Sequence, residues 1–301
     1  MNGFGEGDGD TAATPCGWNV MSTDAMELER MMATCRRPAR VLAVTSGKGG
    51  VGKTNISANI GVCLAASGRR VLLLDADMSL ANLDVVLNVG SRYNISHVLS
   101  GHKSISEVVH PGPAGLGVVC GASGLEELAD LSEFQRRRIL DELSQLSDDH
   151  DLMVIDTAAG ISRAVVGFCL AADDVLVVTT PEATAVMDAY AMIKVLSRHE
   201  YKGRINLVVN MADSPAEGKK TYQQISNVAA RFLGVHVYDA GTLLRDDRVL
   251  AAVKQREPVV LAYPKAPITL SLGALAAKLD SGANVGKRQA GFFRRVADLF
   301  F

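Results

Sequence analysis

The chain has 301 residues, 48% of them hydrophobic and 21% charged, with a formal net charge of −2. That is enough apolar material for one or two cores, and the near-neutral balance argues against a globally basic nucleic-acid binder while leaving local patches open. No stretch resembles a signal peptide and no apolar run is long enough to span a bilayer, so the cytoplasm is the expected compartment.

The opening "MNGFGEGDGDTAATP" is Gly-rich and acidic, with too few large apolar residues to pack, and reads as disordered. A short, ragged helix is expected within "TDAMELERMMATC", and "RRPAR" then breaks the pattern. From there strand-like and helix-like segments alternate. "VLAVTS" (41–46) precedes "TNISANIGVCLAAS", where Ile56, Ile60 and Leu64 recur at helical spacing. "RVLLLDAD", "LGVVCG" (116–121) and "LMVIDTAAG" (152–160) read as strands, with a helix in "SEFQRRRILDELSQL". "DVLVVTT" (174–180), "INLVVNMA" (205–212) and a weaker "AGTLL" (240–244) complete the series. Such continuous apolar strands suit a sheet buried on both faces. The expected fold class is therefore α/β, a doubly wound and mostly parallel sheet. The boundaries read as a flexible segment over 1–39, one domain over 40–280, and a polar linker with a distinctive tail over 281–301. Five cysteines form no C-x-x-C pair, and Cys63, Cys120 and Cys169 lie in apolar patterns typical of core cysteines.

"GKGGVGKT" runs from Gly47 to Thr54 and fits the phosphate-loop pattern between a strand and a helix. Gly47, Gly49, Gly50 and Gly52 allow a close backbone approach, so that N–H groups of the loop, Val51 and Asn55 included, can point at phosphate oxygens. The following helix adds its positive dipole end. Lys53 is expected to bridge the β- and γ-phosphates of a nucleotide, and Thr54 to offer its hydroxyl to Mg²⁺. Asp75, Asp77 and Asp156 end two other strands, on the edge of a parallel sheet where ligands bind. One residue is surplus to this pattern: a second lysine, Lys48.

"GKGGVGKT", "DADMSLANLD", "DTAAGI", "TTPEATAVMDAY" and "VVNMA", in this order, resemble the deviant Walker A, switch and strand-end motifs of the MinD/ParA group of P-loop ATPases. "DTAAGI", "GASGLEELADLS" and "MDAYAMIKVL" are most similar to its FlhG/FleN (YlxH) branch, which controls flagellar number and placement. The resemblance implies an ATP-sandwiched homodimer in which Lys48 reaches the partner's phosphates. It further implies that Asp77 positions the attacking water, that Asp75 and Asp156 organise Mg²⁺, and that Asn210 reads the adenine edge. Asp246 matches an acidic position near the base, whereas Leu244 stands where relatives often carry proline. Asp188 falls where relatives couple to activating partners, and Glu182 on the dimer face. Septum-site MinD and ParA-like DNA partition ATPases are the alternatives within the group.

In the tail "AGFFRRVADLFF", Phe292, Phe293, Val296, Leu299 and Phe300 share one helical arc, with Arg294, Arg295 and Asp298 opposite. With Lys287 and Arg288 before it, this segment (287–301) suits a helix drawn to an anionic membrane surface, and MinD-like proteins carry a similar one. The expectation is attachment to the inner face of the cell membrane when ATP is bound; the alternative is a terminal helix packed on its own domain. The phenylalanine-rich tail argues against DNA as the partner. "DAMELER" partly resembles the N-terminal motif by which FlhG proteins stimulate the SRP-type GTPase FlhF.

Overall fold

The computed structural model describes residues 38–77, 82–90, 92–121, 133–281 and 291–300. The expected N-terminal helix, "GASGLEELADLS" after its first glycine, most of the linker, and Lys287 and Arg288 lie outside the described residues, as does the middle of "DADMSLANLD".

One sheet organises the chain from residue 38 onward. Its strands are β1 (Arg40–Ser46), β2 (Val71–Ala76), β3 (His110–Pro111), β4 (Gly117–Val119), β5 (Leu152–Ala159), β6 (Asp174–Thr179), β7 (Arg204–Ala212) and β8 (Val237–Leu244). The order across the sheet is β3-β4-β2-β5-β1-β6-β7-β8, parallel throughout except for β3. The helices are α1 (Lys53–Ala66), α2 (Leu83–Leu87), α3 (Ile95–Leu99), α4 (Glu133–Asp148), α5 (Arg163–Ala171), α6 (Ala183–Arg198), α7 (Pro215–Leu233), α8 (Asp247–Gln255), α9 (Val259–Ala262), α10 (Pro267–Ser281) and α11 (Phe292–Phe300).

Strand side chains alternate between two cores, which is why the strands are apolar without interruption. Val41, Ala43, Met153 and Ile155 enter one core with α4, α5, α6, α7 and α11. Leu42, Val44, Leu152 and Val154 enter the other with α1, α2, α9 and α10. The doubly wound expectation is met. β8 is longer than the expected 240–244 run, beginning at Val237 and taking in Asp239 ahead of Gly241. The strand absorbs them through a register shift opposite Leu207 and Val208, with Gly241 at φ 128°. β3 has two residues, one of them proline, and left no strand signal. Cys120 and Cys169 are buried, Cys63 is partly so, and all three are free thiols.

The tail is docked. Phe292, Phe293, Val296 and Ala297 are buried in the core beside α4 and α5. Arg295 Nε donates to the Ala171 carbonyl at 2.7 Å, and its guanidinium pairs with Asp173 at 3.3 Å. The apolar arc expected to seek a membrane is thus largely covered by its own domain, and Arg295, expected on a free polar face, fastens it. Leu299 remains partly exposed.

Candidate nucleotide site

β1 delivers the glycine loop to the carboxyl edge of the sheet, and α1 leaves it at Lys53. Gly47, Gly50 and Gly52 are set by this geometry, while a Cβ on Gly49 would meet nothing within 4 Å. A Cβ on Gly47 would lie 2.3 Å from the Asp188 carbonyl oxygen, and one on Gly52, at φ 88°, would lie 2.4 Å from Asn210 Nδ2. Gly50 has φ 79°, a region that glycine occupies at little cost. Gly52 caps α1 with no side-chain bond, so no side chain competes for the first N–H groups of the helix. Val51 is buried. Asn55 lies in the first turn of α1, and its carbonyl accepts from Asn59 Nδ2 at 2.7 Å.

Asp156 gathers the loop's functional groups. Its Oδ1 accepts from Lys53 Nζ at 2.9 Å and from Ser57 Oγ at 2.9 Å, while Oδ2 accepts from Thr54 Oγ1 at 2.7 Å. Asp75 is its register partner on the neighbouring parallel strand. Burial, and then the charge of Asp156, push the Asp75 carboxyl up to about 6. Asp75 also accepts backbone N–H bonds from Asp77 at 3.0 Å, Asn82 at 3.1 Å and Leu83 at 3.2 Å. It therefore fastens both ends of the segment after β2, and places Asp77 beside the site.

Lys48 points away from this cluster. Its ammonium is 2.7 Å from Glu182 Oε2 and 3.1 Å from Thr184 Oγ1, at the start of α6. Asn210, expected to face adenine, donates from Nδ2 to the Val51 carbonyl at 2.8 Å, so one amide hydrogen braces the loop. Met211 follows it at φ 56°, a strained turn that re-aims the chain. Asp246 caps α8 by accepting from Arg248 N at 3.0 Å, and pairs with the Arg248 guanidinium. Leu244 is exposed at the end of β8.

Lys53, Thr54, Asp75 and Asp156 are thus brought together, with Asp77 alongside. Sequence reasoning missed Ser57 and Thr184. Ser57 follows Lys53 by four residues on α1, and that one-turn spacing is the signal that could have found it. Thr184 had no comparable cue, because only the fold brings α6 to Lys48. The donors around Asp156 are hydroxyl and carboxylate oxygens, which suit Mg²⁺. That ion takes few protein ligands and completes its shell with water and phosphate. No cluster of three or more His, Cys, Asp or Glu able to hold a metal occurs among the described residues.

The AAA domain family AAA_31 matches residues 39–209. The antiactivator FleN of Pseudomonas aeruginosa is 42% identical over 81% of this chain and 87% of its own. The flagellum site-determining protein YlxH of Helicobacter pylori is 36% identical over 85% of this chain and 89% of its own. Among solved structures, the MinC:MinD cell division complex of Aquifex aeolicus aligns with a TM-score of 0.65 at 27% identity, over 84% of this chain and all of that one. MinD of Pyrococcus horikoshii complexed with Mg-ADP aligns with a TM-score of 0.65 at 21% identity, over 83% of this chain and all of that one, a likeness of fold.

Proposed function

This chain belongs to the AAA-domain P-loop ATPases of the FleN and YlxH branch, and from that premise we propose that it is an ATP-switched dimer controlling flagellar placement and number. The observation that carries the reading is the position of Lys48. It is 39% exposed and tied to Glu182 and Thr184, so it is free to exchange that surface pair for the phosphates of a second copy. A cation delivered in this way stabilises charge on the transferring phosphoryl group, as an arginine finger does. Hydrolysis then depends on dimerisation. Exposed Ile161 and Met187 fit a second copy covering the site. Ile161 follows Gly160, whose N–H donates to Ser46, and Met187 precedes Asp188, whose carbonyl abuts Gly47.

In this reading Lys53 exchanges Asp156 for the phosphates, and the Thr54 hydroxyl and Asp156 face the metal with Asp75 behind them. A Mg²⁺ ion held there would supply positive charge to offset that of the phosphates. Asp77 orients the water, while Asn210 and Asp246 lie toward the base. The tail adds a membrane step. Its phenylalanines must leave the core before they can enter an anionic interface, and a dimer presents two tails at high effective concentration.

Two measurements test this. ATPase activity per chain should rise with protein concentration, and Lys48→Ala should flatten that rise while retaining ATP binding; a Lys48→Ala chain that behaves like wild type refutes the dimer mechanism. Co-sedimentation with anionic liposomes should require ATP and residues 287–301. A full chain that stays in the supernatant in both ATP and ADP refutes the membrane step.

A further inference from the structure

Asp156 has one more partner than binding phosphate and metal requires. Oδ1 is shared by the Lys53 ammonium and the Ser57 hydroxyl, each at 2.9 Å. Ser57 is fully buried, and its Oγ also lies 3.1 Å from the Lys53 carbonyl. A hydroxyl has one proton, so it serves the carboxylate or the carbonyl at a given moment.

We propose that Ser57 is a positioning residue for the ATPase reaction: its hydroxyl holds Asp156 in place when Lys53 leaves for phosphate. The inference rests on the assignment of Lys53 and Asp156 given above. Asp156 is buried, with its side chain 1% exposed. An ammonium turned to phosphate no longer neutralises it, and Oδ1 then faces protein rather than water. A buried charged oxygen without a donor is costly, so the carboxylate would swing or draw Lys53 back. The Ser57 proton prevents both, since it can settle on Oδ1. The carbonyl it gives up lies inside α1, where the helical ladder supplies a donor. With Oδ1 held, Oδ2 stays turned toward Thr54, on the metal side of the site. The device needs a hydroxyl one turn after the lysine, and alanine there removes it without crowding the helix.

The test uses the full chain and a fluorescent ADP analogue, N-methylanthraniloyl-ADP, titrated without metal and then across a Mg²⁺ series. Ser57→Ala should bind the analogue more weakly than wild type in the absence of Mg²⁺, because Asp156 then draws Lys53 back from phosphate. The Mg²⁺ concentration that half-completes the metal-dependent tightening should rise about tenfold, the size of one hydrogen bond to a charged group. Ser57→Thr, which keeps the hydroxyl, should stay near wild type. The same Mg²⁺ midpoint in Ser57→Ala and wild type overturns the proposal, and so does an equal shift in Ser57→Ala and Ser57→Thr. A wild-type chain whose binding ignores Mg²⁺ overturns both this proposal and the metal assignment, whereas an unshifted Ser57→Ala leaves that assignment standing. Should Ser57→Ala not fold, Ser57→Val against Ser57→Thr makes the same comparison, since the two share a shape and differ in the hydroxyl. A raised midpoint in Ser57→Val alone supports the proposal, and matching midpoints overturn it.

Discussion

Lys48 Nζ lies 2.7 Å from Glu182 Oε2, so the surplus lysine of the glycine loop is tied to the start of α6 within its own subunit. The hydrogen bond and charge of Lys48 hold the Glu182 carboxyl below its ordinary range. Both side chains are solvent-exposed, and such pairs add little to fold stability. The consequence belongs to association. Glu182→Gln should leave the melting temperature unchanged while ATP-dependent dimers form at lower protein concentration in sedimentation velocity. Weaker dimers would mean that Glu182 acts across the interface instead of holding Lys48 back.

Asp75 makes the ligand-free protein sensitive to pH in an unusual direction. Its carboxyl is raised from 3.8 to about 6, so the folded state binds its proton more tightly than the unfolded chain does. The corresponding stability is fully present below the unfolded value and is lost as pH rises through about 6. Asp75→Asn removes this penalty and keeps one of the two acceptor oxygens for the segment after β2, its amide nitrogen replacing the other. Above pH 7 it should stabilise the ligand-free chain by up to about 3 kcal/mol. Melting curves between pH 5 and 8 check this: wild type should lose stability across the window relative to the variant. Parallel pH profiles would show that the Asp75 carboxyl titrates normally.

How far the site was legible follows from the same residues. Lys53, Thr54 and the strand-end aspartates were readable because each follows a continuous apolar strand or the glycine loop, and a parallel sheet sends all such ends to one edge. The extra hold on Asp75 was not readable, since it comes from backbone N–H groups of Asp77, Asn82 and Leu83 that any residue could supply. Asn210 was expected to face adenine, whereas its bond to Val51 arises from the approach of β7 to the loop. The tail was legible as an amphipathic helix and not in its destination. An apolar arc suits a bilayer and a protein groove equally well, and periodicity does not separate them.

Docking and the proposed membrane binding would use the same phenylalanines, so the two would compete. Phe292, Phe293 and Val296 cannot be buried beside α5 and in lipid at once. Asp173 and the Ala171 carbonyl hold Arg295 in the docked position. Arg295→Leu should therefore loosen docking without reducing the apolar arc. Liposome co-sedimentation in ADP should increase for this variant, and limited proteolysis should cut before residue 291 more readily. Unchanged sedimentation in ADP would mean that docking does not restrain the tail.

Lys53 and Asp156 form the most buried ion pair of the site, with side chains 8% and 1% exposed. Removing one member of such a pair leaves the other charge stranded, at a cost of roughly 3–5 kcal/mol. Lys53→Met keeps most of the side-chain volume, so its effect isolates the charge. It should abolish ATP binding and lower the urea midpoint of the ligand-free chain. Adding Asp156→Asn removes the stranded charge while keeping an acceptor for Thr54 or Ser57, and should restore most of the stability. It should restore no ATP binding, because the phosphate-seeking ammonium is still missing. Urea unfolding of the wild type, both single variants and the double variant closes a mutant cycle, and the expected coupling is large. If the double variant loses the sum of the single losses, Lys53 does not neutralise Asp156 in the ligand-free chain, and the exchange of Lys53 from carboxylate to phosphate loses its starting point.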